Sequence, residues 1–279
     1  MGILNVTPDS FYDGGQWLGD AAIARFDELV EEGAGIVDVG GESTRPGAPV
    51  VPANEQIARI EPVLKHAVLA RKGVLVSVDT CDPAVAEYAL QMGAHAINDV
   101  SCLANPAIAR VAAAKRSGLI IMHARGPMSN MPGFSATPES DYEDVVLDIV
   151  REWRAAQQKA ISAGMPSEDL VFDPGIGFWK SARHSLDVLR RIGEFDELKV
   201  PIMIGASRKS FLTLVQKGSP DQRLGGSLAA SLYAARQGVH IVRVHDVAVT
   251  RQALLLQRIL NRLPDELTNV GENAMEGAC

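Results

Sequence analysis

Asp173 closes the short apolar run Leu170-Val171-Phe172 and is followed at once by Pro174-Gly175, so a carboxylate stands where a buried strand stops and the chain turns. Polar groups recur where the other apolar runs stop: Asn5, Asp79, Asn98 with Asp99, His123, Ser207 with Arg208 and Lys209, and Arg243 with His245. Asp38 lies within another run, which leads to Glu42, Ser43, Thr44 and Arg45. Asp79, Asn98 and Asp173 can exchange in-plane hydrogen bonds, which suits a flat heterocycle with amide and amino edges. Arg45, Arg243, His245 and Lys209 would supply a cationic cluster for an anion.

Each of these has a plainer reading. A lone aspartate at a strand end is often a helix cap, but Asp82 competes for that role beside Asp79, and Asp173 is followed by Pro-Gly rather than a helix. Asp38 and Asp99 are expected to be scaffold. His66, His95, His184 and His240 have no clustered partners, so surface or core roles are expected, and Cys81 and Cys102 read as small buried thiols. Trp17 and Trp179 fall in or beside the loops that could cover a ligand, whereas Trp153 reads as helix packing.

The elements that must bring these groups together alternate in type. Strand-like runs occur at 2–6, 36–39, 74–78, 94–97, 119–122, 170–172, 201–205 and 241–244, each followed by sequence of helical periodicity. Helices are expected over 20–33, 54–71 and 141–163, with Asp82-Pro83 and Asn105-Pro106 as helix starts. Strands spaced by about 35 residues fit a closed α/β architecture, the (β/α)8 TIM barrel, in a single domain over 1–262. No G-x-G-x-x-G fingerprint opens a helix after the first run, which weakens a dinucleotide-binding sheet. Residues 263–279 are polar and aperiodic and read as a flexible C-terminal tail. In a barrel all strand ends converge on one mouth, and strands 7 and 8 are where phosphate commonly binds.

With 279 residues, 47% hydrophobic and 22% charged, the chain has the composition of an ordinary globular protein. A net charge of -7 argues against nucleic acid or an anionic membrane as main partner. Signal and transmembrane patterns are missing, and three scattered cysteines make neither a disulfide framework nor a four-ligand zinc site, so a reducing cytoplasm is expected.

In order, the segments Gly2-Ile3-Leu4-Asn5-Val6-Thr7-Pro8-Asp9-Ser10-Phe11, Asp38-Val39-Gly40-Gly41-Glu42-Ser43-Thr44-Arg45-Pro46-Gly47, Ser77-Val78-Asp79-Thr80, Ile97-Asn98-Asp99-Val100, Met122-His123, Asp173-Pro174-Gly175-Ile176-Gly177-Phe178, Ser207-Arg208-Lys209-Ser210 and Arg243-Val244-His245-Asp246 resemble the dihydropteroate synthase family. The resemblance runs from Met1 to about Val247 and touches every strand end. It implies condensation of 6-hydroxymethyl-7,8-dihydropterin pyrophosphate with p-aminobenzoate, giving dihydropteroate and pyrophosphate. By resemblance Asp79, Asn98, Asp173 and Lys209 hold the pterin, with Met122 lining its pocket. Asn5, Arg243 and His245 hold pyrophosphate, with Mg²⁺ near Asn5. Thr44, Arg45, Phe178, Ser207 and Lys209, with the loop residues Phe11 and Pro46, form the p-aminobenzoate side. Asp173, Lys209, Arg243 and His245 are then the groups nearest the chemistry. The resemblance also implies a homodimer and a sulfonamide target.

Family members usually carry a short leader, so a natural start upstream of Met1 is expected, and the Met- and Pro-rich loop 125–140 carries no readable signal. Two other readings stay open. A methyltetrahydrofolate-corrinoid methyltransferase-like barrel would share the pterin groups without needing a pyrophosphate cluster, and a non-catalytic pterin-binding relative would bind without turnover.

Overall fold

Alternation of buried strands with amphipathic helices gives one barrel. The structure, a computed structural model, describes residues 1–7, 18–43, 49–70, 73–133 and 135–261. Phe11, Trp17, Thr44, Arg45, Pro46 and the proposed tail lie outside the described residues. Among those described, β1 (Gly2–Asn5), α1 (Leu18–Glu31), β2 (Ile36–Gly40), α2 (Ala53–Ala70), β3 (Leu75–Asp79), α3 (Pro83–Gln91), β4 (Ala96–Asp99) and α4 (Ala107–Lys115) make the first half. The second half is β5 (Gly118–Met122), α5 (Val145–Ser162), β6 (Leu170–Asp173), α6 (Ala182–Arg190), β7 (Met203–Ile204), α7 (Leu224–Arg236), β8 (Ile241–Val242) and α8 (Val247–Leu260).

Strands β1 to β6 pair in sequence order, all parallel, and β7 pairs with β8. Single parallel bridges complete the circle, Phe172 with Ile202 joining β6 to β7 and Gly2 with Val244 joining β8 to β1. The backbone N–H of Ile3 donates to Val244 O at 3.0 Å, and Val244 N–H to Met1 O at 2.9 Å. The (β/α)8 barrel read from the sequence is the fold, closed through short strands.

Side-chain alternation divides each strand between two layers. Val37, Val39, Val76, Val78, Ile97, Leu119, Ile121 and Phe172 face the helices and form the main core with them. Trp153 of α5 packs edge-on against Phe172 at 5.1 Å, Phe172 meets Phe195 at 4.9 Å, and the Trp153 indole N–H donates to Ile121 O at 2.9 Å. Asp38, Ser77, Asn98 and Arg243 instead face inward and bond to one another.

Boundaries differ from expectation where capping decides them. Asp82 caps α3 by accepting from Ala84 N–H, with Pro83 in its first turn, as its sequence suggests. At α4 the cap position is Pro106, one residue later than expected, and Asn105 Oδ1 accepts from Ala107 N–H instead. α5 starts at Val145 rather than 141, because Asp144 accepts from the N–H groups of Val146 and Leu147 and fixes the first turn there. Trp153→Ala removes a fully buried ring and its hydrogen bond, and is expected to cost about 3–5 kcal/mol, read as a lower urea midpoint.

Candidate active site

Strand register sets the geometry of the mouth. Asn5 is paired with Gly40, Gly40 with Asp79 and Asp79 with Asn98, so these residues form one row across β1 to β4. Met122 and Asp173 form the matching pair on β5 and β6. Gly40 sits between Asn5 and Asp79 in this row, and a methyl group there would be in ordinary contact with both, 3.5 Å from Asp79 Cβ and 3.6 Å from Asn5 Oδ1.

Under the row lies Asp38, fully buried. Its carboxylate accepts from Ser77 Oγ at 2.5 Å, Asn98 Nδ2 at 3.0 Å and Arg243 Nε at 2.7 Å. Arg243 also reaches Asp79 Oδ2 at 3.1 Å. Because an ionised carboxylate only accepts, it fixes the Asn98 amide with its NH₂ inward. Asn98 Oδ1 is consequently buried with no hydrogen-bond partner among the described residues. Asp38 is scaffold as expected, but scaffold that orients two proposed ligand groups.

Burial pushes the Asp79 carboxyl up to about 7, with Arg243 opposing and the charges of Asp38, Asp99 and Glu42 adding. Asp173 is likewise raised by burial, against the Gly175 N–H that donates to it at 2.7 Å and the nearby Lys209. Gly175 has a φ of 66°, and any side chain there would overlap the His123 carbonyl, so the turn after Asp173 requires glycine. An apolar wall of Val100, Met122, Ala124, Met131 and Phe178 adjoins these groups, with Cys81, Cys102, Met128 and Trp179 packed against it. Loop 125–140, unreadable in the sequence, therefore supplies Met128 and Met131 to the wall.

The cationic side differs from the sequence picture. Lys209 Nζ lies 3.6 Å over the Phe178 ring, and burial with the Arg243 charge lowers its ammonium to about 7. His245 is lowered to about 4 by burial and by Arg208 and Arg243, so it is neutral at pH 7 without a ligand. Ser207 Oγ meets His245 Nδ1 at 3.0 Å, and Arg208 turns away to Asp246 and Asp221. The expected cluster of free positive charge is thus one of compensated or suppressed charge, because burial without an anion penalises it. Asn5 is exposed at the end of β1.

The plain readings hold elsewhere. Asp99 accepts from Ser101 Oγ and Leu103 N–H and ties its own loop, and Glu42 accepts from Val51 N–H and Gln56 Nε2. His66 pairs with Asp27, His95 and His240 accept from the backbone of Val76 and Ile202, and His184 completes a capping box with Ser181. Cys81 and Cys102, expected to be buried, are half-buried free thiols, and desolvation raises both. The sequence reading missed Lys180, fully buried beside His123, and the Glu152 and Arg125 pair behind it. The only signal for Lys180 was a charge set in the apolar loop Gly175-Ile176-Gly177-Phe178-Trp179.

A barrel mouth with amide and carboxylate edges beside an apolar wall and buried cations is a site for a flat polar ligand, and the family described as "Pterin binding enzyme" matches residues 1–245. The dihydropteroate synthase of Escherichia coli K12 is 41% identical over 256 residues, covering 91% of this chain and 88% of that protein. Among solved structures, a Xanthomonas albilineans dihydropteroate synthase with 4-aminobenzoic acid superposes with TM-score 0.87 at 40% identity, over 95% of this chain and 93% of that one. A Clostridium difficile dihydropteroate synthase determined with pteroic acid gives 0.86 at 38% identity, over 94% and 96%. The chain belongs to the dihydropteroate synthase family.

Asp79 gives the site a pH signature. Its folded carboxyl, near 7, holds a proton that an unfolded aspartate releases near 3.9, so the stability it contributes is full below about pH 4 and lost as pH rises through 7. Relative to Asp79→Asn, the ligand-free wild type is expected to lose stability progressively between about pH 4 and 7. Urea midpoints of both proteins across that range measure the difference, which cancels the other titrating groups.

Proposed function

We propose that this chain joins 6-hydroxymethyl-7,8-dihydropterin pyrophosphate to p-aminobenzoate, forming 7,8-dihydropteroate and releasing pyrophosphate, as a dihydropteroate synthase of folate biosynthesis. The observation that carries the reading is Asn98 Oδ1, buried beside Asp79 at the barrel mouth without a hydrogen-bond partner among the described residues and suited to a ring N–H. In this reading Asp79, Asn98 and Asp173 hold the amide and amino edges of the pterin, Lys209 a ring acceptor, and Met122 its apolar face.

The reaction breaks the C–O bond between the pterin methylene and pyrophosphate, and the electron pair leaves with the phosphate oxygen. The aryl amine nitrogen then bonds to the methylene carbon and loses its proton to solvent or the departing anion. Arg243 and His245 stabilise charge developing on the leaving group. A bound polyanion favours the protonated forms of His245 and Lys209, so the suppressed charges return when the ligand arrives. The amine side comprises Phe178, Ser207 and Lys209, with Thr44, Arg45, Phe11 and Pro46 from loops outside the described residues. Those loops would exclude water, which would otherwise capture the methylene carbon.

Mg²⁺ belongs to the same proposal. The exposed Asn5 carboxamide beside Gly40 is a hard oxygen donor, and the described residues contain no His/Cys/Asp/Glu group of three or more that could hold a metal ion. That donor set fits an ion carried mainly by substrate phosphates and water. When bound it would neutralise charge on the leaving group. A cytoplasmic setting suits the free thiols of Cys81 and Cys102, and no helix among the described residues is long and apolar enough to cross a membrane. A homodimer is also proposed, supported by exposed Val249, Leu256 and Leu260 on α8, and light scattering tests it.

The decisive assay follows pyrophosphate release and product from the pterin pyrophosphate with Mg²⁺, with and without p-aminobenzoate. Release coupled to dihydropteroate is expected, and pterin binding without product would refute the synthase. Asp173→Asn should weaken pterin binding by roughly 100-fold in calorimetric titration, since a charge-assisted acceptor is lost.

A further inference from the structure

Lys180 has no part in the reaction described above, yet its side chain is fully buried. An ammonium withdrawn from water needs acceptors in place of hydration. It has His123 Nδ1 at 3.0 Å and the Phe178 carbonyl at 3.1 Å. An accepting Nδ1 puts the ring proton on His123 Nε2, which donates to Glu152 Oε2 at 2.9 Å. Arg125 holds the other carboxylate oxygen of Glu152 at 2.6 Å. A chain of bonds therefore runs from α5 through the end of β5 to one carbonyl in the loop after β6.

That loop takes a left-handed backbone at three positions. Gly175, Gly177 and Trp179 all have positive φ, at 66°, 81° and 49°, and for tryptophan this is an unfavourable backbone state. Trp179 is held by Tyr142, whose hydroxyl donates to its carbonyl at 2.9 Å, and by its own indole N–H donating to Gly126 O. Lys180 captures the carbonyl just before it. The Phe178 ring itself lies under the Lys209 ammonium at 3.6 Å.

We propose that Lys180 is a positioning residue for the aryl-amine side of the site, acting through the Phe178 carbonyl to hold the Phe178 ring against Lys209. This rests on the dihydropteroate reading for the identity of the amine but not for the placement of the ring. Burial lowers the Lys180 ammonium to about 7, which marks the group as one whose retention inside the fold is costly. A misplaced contact surface of this kind acts mainly on binding and orientation of the second substrate, while the pterin groups on β3, β4 and β6 stay in register and Lys180→Arg keeps the positive charge that Asp173 feels.

Lys180→Met, Lys180→Arg, Phe178→Leu and the double variant Phe178→Leu/Lys180→Met test it. Lys180→Met should raise KM for p-aminobenzoate about tenfold and leave the Kd of the pterin pyrophosphate within about threefold, with Lys180→Arg recovering most of the loss. The double variant should be no worse than Phe178→Leu alone, because both changes act through one ring. Parallel weakening of both substrates, an unchanged KM, or effects that multiply would overturn the inference. Should Lys180→Met not fold, Lys180→Arg with and without Phe178→Leu gives the same comparison. A crystal structure of a ligand-free Lys180 variant adds a readout independent of activity, in which the Phe178 ring is expected to leave Lys209 and an unmoved ring would refute the role. Absence of product from the wild type would count against the dihydropteroate reading alone.

Discussion

The Asp38 carboxylate is the constraint on which the mouth depends. It sits inside the barrel with no exposure, where an ionised group without partners would be strongly destabilising. Ser77, Asn98 and Arg243 satisfy it from three other strands. Each donor is thereby held in one orientation. The arrangement leaves Asn98 with an unused oxygen and keeps Arg243 between two carboxylates, where one cation cannot fully offset both charges. A buried network of this kind adds little net stability, but it fixes which atoms are offered to a ligand.

The turn after β6 applies the same logic with backbone rather than charge. Asp173 is anchored by the Gly175 N–H, Gly175 passes too close to His123 for any side chain, the Phe178 carbonyl is taken by Lys180 of the same loop and the Trp179 carbonyl by Tyr142 from beyond it. Loop 125–140 is drawn in as well, since Met131 Sδ accepts from Trp179 N–H and Ser135 Oγ meets Ser210 Oγ at 2.8 Å. The loops after β5, β6 and β7 thus form one connected wall rather than three independent segments.

Much of this was legible in the sequence, for a definite reason. Apolar runs of strand length that stop at a carboxylate, amide or base announce both the strand and the group at its end, so Asn5, Asp79, Asn98, Asp173, Lys209, Arg243 and His245 could be named before their positions were known, whereas Met122 came only from the family resemblance. Partnership across strands was not legible, because register decides it. Asp38 looked inert for that reason, although it is bonded to Arg243 across 205 residues of sequence. Lys180 was hard to read for another reason, since a lysine is ordinarily a surface residue and the apolar stretch before it is a weak local sign that this one turns inward. Helix starts at α4 and α5 shifted because Pro106 rather than Asn105 takes the cap position of α4 and Asp144 fixes the first turn of α5, choices the sequence leaves open.

The charge state was the least legible property and the most informative one. Counting Arg243, His245 and Lys209 as cations suggests a standing positive patch, whereas burial holds His245 neutral, brings Lys209 close to losing its proton and commits Arg243 to Asp38 and Asp79. A site with a standing positive charge would collect any anion. One whose charge is recovered only when a polyanion supplies the counter-charge favours ligands that bring enough of it to offset the burial of every partner. In the proposed reaction this would favour a pyrophosphate over a single carboxylate through the cost of desolvation, with the flat edge assigned to Asn98 and Asp173 selecting the heterocycle that carries it.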